Sequence, residues 1–216
     1  MKKNILFTSP LFAKLDDFDV ERALDILHSS EKSYSKNEIL VHSGTKLTRF
    51  GIVLDGTVQV SFTDIDGNEV LMASVTSGDA FAESLCWLRI EEIPVTITAF
   101  TDARVLWLDP SPLSVNCDNE LVKELRNRFI SILASKTLSM NDRVQVLSKP
   151  SLRQKIITLL SQYSNKNSSK TFSLPFNRES LALYLGVNRS ALSRELSVMK
   201  KEGIIDFYKN TFKILK

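Results

Sequence analysis

The sequence is poor in the residues that build metal and redox sites. Its 216 residues include two cysteines, Cys86 and Cys117, and two histidines, His28 and His42, far apart along the chain. Zinc and iron–sulfur sites need several such ligands at short spacings, so neither is predicted, nor any cofactor. The same shortage leaves a small-barrel metalloenzyme without its ligand set. Two cysteines with no CxxC spacing fit a reducing cytoplasm, and redox sensing by Cys86 is disfavoured because a free cysteine is usually a small buried hydrophobe. No apolar run reaches about eighteen residues, so no membrane helix is predicted. The opening MKKNILFTSPLF carries two lysines but too short an apolar stretch for a secretory signal. Glycine is scarce, yet five of its seven occurrences fall between Gly44 and Gly78.

That glycine-punctuated block reads as β structure. Strands are expected near Glu38–His42, Phe50–Leu54, Thr57–Thr63, Glu69–Val75, Ala80–Phe81, Val95–Phe100 and Arg104–Leu108. Asp55-Gly56 and Asp66-Gly67 are hairpin signals. Short strands at close spacing predict a small antiparallel barrel or jelly roll. Residues 1–32 form an entry segment, helical over Asp19–Leu27 through Val20, Leu24 and Leu27.

Residues 111–148 are long-helix material. Ile130, Leu133, Thr137, Met140, Val144 and Leu147 step by three and four alternately, a coiled-coil seam. The seam serves a dimer, or the helix packs on its own barrel. Pro150 ends the helix and marks a hinge near Lys149–Ser151. Leu152–Tyr163 then opens a further domain, with Ile156, Leu159 and Leu160 inward.

Phe176–Lys201 reads as two helices joined by a turn. Asn177 caps the first, Leu181 and Leu185 form its apolar face, Gly186 ends it, and Asn188 caps the second. Leu192, Leu196 and Met199 line the inner face of the second helix. Arg189, Ser190, Ser193 and Arg194 lie opposite, the layout of a helix-turn-helix that reads base edges. Such a face can also be merely solvated. Two observations favour DNA. Ile204–Leu215 reads as a hairpin turning at Lys209-Asn210, a wing after the helices. Residues 150–216 hold twelve Lys and Arg against four Asp and Glu, a balance of +8, whereas the rest holds sixteen against twenty-one, a balance of −5.

The whole chain resembles the Crp/Fnr family of bacterial transcription regulators. Pro10-Leu11-Phe12, DGTVQV at Asp55–Val60, SGDAFAES at Ser77–Ser84 and LGVNRSALSREL at Leu185–Leu196 carry the likeness. The expected fold is α+β. It comprises a cyclic-nucleotide-binding-like barrel over 1–110, a long dimerisation helix and hinge over 111–149, and a winged helix-turn-helix over 150–216. The resemblance implies a homodimeric, sequence-specific regulator that binds a two-fold symmetric operator in double-stranded DNA. It would be controlled allosterically from the barrel, would act on RNA polymerase, and would be no enzyme and no membrane protein.

Arg189, Ser190, Ser193 and Arg194 take the base-reading positions. Arg178, Lys200, Lys201, Lys209 and Lys213 are candidates for phosphate contact. Much of the family has a Glu where Ser190 stands, so the half-site is expected to differ there. Glu195 is read as exposed, or paired with a base such as Arg194 or Lys201.

Cyclic-AMP-binding members use a Glu for the ribose and an Arg-Ser pair for the phosphate. Glu83 matches the Glu, but Ile93 and Pro94 stand at the Arg-Ser positions. A buried phosphate without a charge-assisted partner is prohibitively costly, so the barrel is not expected to bind cyclic AMP. The first cysteine is Cys86, so the cluster of the oxygen-sensing branch is not expected either. Glu83, Cys86, Trp87, Ile93 and Pro94 are the candidates for an effector pocket, which would suit an aromatic or hydrophobic metabolite. The alternatives are a purely structural barrel on an effector-independent DNA binder, or a ligand or interaction module that does not bind DNA.

Overall fold

The computed structural model describes residues 3–67 and 69–215. The chain divides into two compact units, one ending at Ser135 and one starting at Lys136. The expected segments, 1–110, 111–149 and 150–216, follow presumed roles, whereas packing divides the chain inside the long helix.

The first unit opens with α1 (Lys3–Leu6) and α2 (Asp17–Ile26). Asp16 caps α2 by accepting from the backbone N–H of Asp19 at 2.7 Å. Val20 and Leu27 are buried as the spacing predicts, Leu24 is half-buried against the same core, and Ala23 is buried beside them.

The strands are β1 (Ser30–Tyr34), β2 (Ile39–Val41), β3 (Phe50–Asp55), β4 (Thr57–Thr63), β5 (Glu69–Thr76), β6 (Ala80–Phe81), β7 (Thr96–Ala99) and β8 (Ala103–Leu108). They form two antiparallel four-stranded sheets, β1-β8-β3-β6 and β2-β7-β4-β5, the jelly-roll arrangement expected. β1 is a correction to the entry-segment reading. SEKSY has no apolar alternation, and it becomes a strand by pairing along β8, from Ser30 opposite Trp107 to Tyr34 opposite Ala103.

Period-two alternation sorts the side chains of the central strands into two cores. On β3, Phe50, Ile52 and Leu54 face a core shared with the helices, while Val53 faces the barrel interior. On β8, Leu106 and Leu108 take the helix side, and Val105 and Trp107 the interior. Both faces of these strands are covered, which explains their nearly continuous apolar runs.

α3 (Glu83–Trp87) follows β6 directly. The expected helix over 111–148 is broken. α4 (Ser111–Ser114) ends where Val115 turns extended, at φ −85° and ψ 132°. α5 (Glu120–Leu147) starts afresh, with the Asn119 side chain accepting from Leu121 N–H at 3.0 Å and Val122 N–H at 3.3 Å. Leu121, Leu125, Phe129 and Ile132 bury the early part of α5 against the helix-side core.

In the second unit, the end of α5 is followed by α6 (Leu152–Asn167), β9 (Thr171–Ser173), α7 (Arg178–Leu185), α8 (Arg189–Lys201), β10 (Ile205–Tyr208) and β11 (Thr211–Ile214). The expected wing is present, and β9 adds a third strand to it, order β10-β11-β9. Val146, Leu159, Leu185, Leu192, Leu196 and Phe212 meet in its core. Packing also crosses the expected hinge. Lys166 pairs with Asp142 at 2.8 Å, Gln162 donates to the Asp142 carbonyl at 3.0 Å, and Arg143 lies over the Tyr184 ring at 5.0 Å. Lys149–Ser151 therefore lies inside the unit that α5 enters. Among the described residues, no helix is long and apolar enough to cross a membrane.

Candidate nucleic-acid interface and effector pocket

The two helices form as the sequence indicates. Asn177 accepts from the Ser180 N–H at 2.8 Å, and Gly186 closes α7 in the left-handed region at φ +65°. Asn188 stands at the N-cap of α8 but makes no capping bond. Leu192, Leu196 and Met199 are fully buried, and they seat α8 against α6 and α7. Burial of these three fixes the opposite face outward. Arg189, Ser190 and Arg194 are exposed there and Ser193 is half-buried. Arg194 is steadied by a 3.4 Å bond from Nε to the Ser190 carbonyl.

The expected phosphate contacts divide into engaged and uncommitted groups. Arg178 is half-buried over the Phe207 and Phe212 rings, 5.1 and 5.8 Å from their centroids, and donates to the Lys209 carbonyl at 3.2 Å. Burial, and then the neighbouring Arg189 charge, depress its pKa. Two arginines at the starts of α7 and α8 thus sit close enough to repel, a place where an anion would be welcome. Lys200 is engaged: it pairs with Asp206 at 2.5 Å and donates to the Phe207 carbonyl at 3.2 Å. Lys201, Lys209 and Lys213 are exposed.

Glu195 corrects an expectation. Its partner is Arg153, whose Nε donates at 2.6 Å, while the Arg153 guanidinium also grips Glu202 at 2.7 and 3.1 Å. This clamp ties the first turn of α6 to the middle of α8 and to its C-terminal cap. The charge of a carboxylate 42 residues away was not readable locally. One signal existed, since an arginine in a helix's first turn opposes the helix dipole and calls for an external partner.

The barrel interior is filled. The Phe81 ring meets Trp107 edge-on at 5.4 Å and 81°, and Trp107 Nε1 donates to the buried Tyr34 hydroxyl at 2.9 Å. Gly51 is required beneath them, because a Cβ there would lie 2.1 Å from Phe81 Cζ.

The five pocket candidates do not gather in one place. Glu83 is 2% exposed at the start of α3, and Ile93 is buried, with its backbone bonded to Thr45 and Gly44. Pro94 is at the surface. Cys86 and Trp87 line a cavity of about 450 Å³ whose other walls are Lys46–Thr48, Arg89, Glu91 and the Asp109–Ser111 turn. Burial, then the Glu83 and Asp109 charges, push the Cys86 thiol up to about 12, so it stays neutral and poorly nucleophilic.

On α5 the expected seam lies open. Ile130 is 49%, Met140 47% and Val144 54% exposed, and Thr137 and Leu147 are exposed as well. Leu133 differs, leaning half-buried onto the helix-side core.

A jelly roll, a long helix with an open apolar stripe, and a winged helix-turn-helix with an arginine-bearing outer face together define a DNA-binding transcription regulator. Residues 31–114 match the family model for the cyclic nucleotide-binding domain, and residues 154–216 that for the Crp-like helix-turn-helix domain. The chain belongs to the Crp/Fnr family of transcription regulators. It is 22% identical over 183 residues to the transcriptional activator protein FnrL of Cereibacter sphaeroides, covering 81% of this chain and 71% of that one. The fold resembles FixK2 from Bradyrhizobium japonicum, with TM-score 0.62, 19% identity, and 87% and 93% of the two chains covered. It also resembles the c-di-GMP responsive regulator CLP of Xanthomonas campestris, with TM-score 0.67, 17% identity, and 93% and 100% covered.

Proposed function

We propose that the protein binds a two-fold symmetric operator as a homodimer and controls transcription from it. The observation that carries this reading is α8, whose apolar face is locked into the core while Arg189, Ser190, Ser193 and Arg194 face outward. Arg194 is the candidate for a bidentate contact to guanine, worth about 1–3 kcal/mol of discrimination. Arg178, Lys201, Lys209 and Lys213 supply phosphate contacts, and Lys200 contributes less because Asp206 occupies it. The open stripe from Ile130 to Leu147 is the dimer surface. Pairing along it sets two recognition helices about 34 Å apart, one turn of duplex. The bound dimer then recruits or blocks RNA polymerase.

The barrel does not take cyclic AMP in this reading. Phe81, Trp107 and Tyr34 fill its interior, and no arginine stands at 93. Saturable micromolar binding of cyclic AMP in a calorimetric titration would refute that part. The same filled interior favours a second reading, an effector-independent binder with a structural barrel. Selection of sites from a random duplex library with ligand-free protein, at two salt concentrations, tests the main claim. A palindromic, salt-sensitive motif is expected. Absence of enrichment, with and without cell extract, would overturn it.

A further inference from the structure

We propose that the cavity beside α3, lined by Trp87 and rimmed by Arg89, binds a small planar aromatic carboxylate, and that α5 responds to its occupancy. The proposal rests on the regulator reading and names an input site for it outside the filled barrel.

A volume of about 450 Å³ suits a ring with a short substituent. The floor is apolar: Cys86, Trp87 and Pro110 line it, and the neutral Cys86 thiol acts there as a hydrophobe. The half-buried Trp87 indole offers an aromatic surface to stack on. The rim decides the charge. Lys46 is held by Glu91 at 2.7 and 2.9 Å, and Asp109 accepts from the Ser111 N–H at 2.8 Å and pairs with His28 at 3.6 Å. Among the described residues, Arg89 is the lining cation left without an ion pair. It occupies the left-handed region at φ +51°, with its N–H bonded to the Cys86 carbonyl at 3.1 Å, so backbone strain is stored at the rim. A guanidinium there matches a carboxylate fork. Two rim acids, Glu91 and Asp109, disfavour a dianion such as phosphate and leave a monoanion as the fit.

The route outward is short. Trp87 packs on Phe129 of α5 with ring centroids 5.2 Å apart. Phe129 adjoins Ile130, the first residue of the open stripe. A ligand that presses on the indole therefore presses on the helix proposed to pair in the dimer.

The test labels the full chain with 5-fluorotryptophan, whose two fluorine signals report Trp87 and Trp107 separately, assigned by loss of one in Trp87→Phe. Benzoate, phenylacetate and indole-3-acetate are titrated beside their amides. The Trp87 signal is expected to shift saturably while Trp107 stays still. The acids should bind about tenfold tighter than the amides, and Arg89→Gln should erase that preference. No saturable shift with any acid, equal binding of the amides, or an undiminished preference in Arg89→Gln would overturn the site. Saturating acid should change operator affinity about fivefold or more, and unchanged affinity would overturn the link to α5. Operator affinity without ligand is measured separately, so a failure of the DNA-binding reading is seen on its own.

Discussion

Lys200 and Lys209 are both cations of the winged domain, yet one is paired and the other exposed, so different shares in the proposed DNA binding are expected of them. Lys200 is already neutralised by Asp206 at 2.5 Å and bonded to the Phe207 carbonyl, and Asp206 is held below its ordinary pKa first by its hydrogen bond to Lys200. Lys209 lies exposed at the wing turn. Each phosphate contact steepens the plot of log affinity against log salt by about 0.9. In a symmetric dimer, Lys209→Met should therefore flatten that plot by about 1.8, and Lys200→Met by less than half as much. Between about 50 and about 200 mM salt, the Lys209 variant should lose about tenfold less affinity than the parent. Fluorescence anisotropy with a labelled operator measures both slopes. Lys200→Met should instead loosen the wing, visible as a lower melting temperature. Equal slope changes for the two variants would refute the assignment of engaged and uncommitted charge.

Gly51→Ala drives a methyl into Phe81 and should destabilise the first unit by about 1–3 kcal/mol or more, read by urea unfolding; a neutral result would mean the aromatic core is loosely packed. Arg153→Ala releases Glu195 and Glu202, and the clamp is partly exposed, so a small drop in melting temperature and weaker operator binding are expected, with Arg153→Lys restoring only part because it lacks the fork. The buried Cys86 thiol has its pKa raised from 9.0 to about 12, so the folded state holds its proton more tightly than the unfolded state. Its contribution to stability is complete below pH 9 and is lost as pH rises towards 12. A Cys86→Ala variant should show less alkaline loss of stability than the parent.

The parts of the fold that follow from local pattern were legible in the sequence. β4 and β6 have the predicted bounds: alternation and Asp-Gly turns fix β4, and Gly78-Asp79 directly precedes β6. The helix-turn-helix was equally readable, since Asn177, Gly186 and the Leu192–Leu196–Met199 stripe each act within a turn or two of themselves. What was not legible depends on distant partners. β1 exists because β8 lies beside it. The break before α5 depends on five residues, Val115–Asn119, with no proline among them to announce it. Of the cavity, Cys86 and Trp87 could be suspected from an apolar run with Arg89 close behind, but Lys46 and Asp109 come from two other segments. Charge was legible only as a sum. The balance of +8 in the last 67 residues counts Arg153 and Lys200, which the fold commits to Glu195, Glu202 and Asp206.

In the proposed reading, the want of an arginine at 93 and the filling of the barrel support each other physically. A barrel that holds a cyclic phosphate must keep a polar, charge-bearing hollow, because a desolvated phosphate without a cation is untenable. With Ile93 where the resemblance places an arginine, such a hollow would have an apolar wall and no counter-charge. The stable alternative is to close it with side chains that need little from water. Phe81 needs nothing, and the Trp107 N–H is satisfied by the Tyr34 hydroxyl oxygen at 2.9 Å. Gly51 gives Phe81 its seat. Ile93 is buried, and its backbone ties the segment to Gly44 and Thr45. Reversing any one of these changes alone would leave the others in the way. An arginine at 93 would enter a packed surface, and a smaller residue at 81 would open a dry cavity with no cation beside it. In the proposed reading a signal acts from outside this filled interior, where Trp87 of α3 packs on Phe129 of α5.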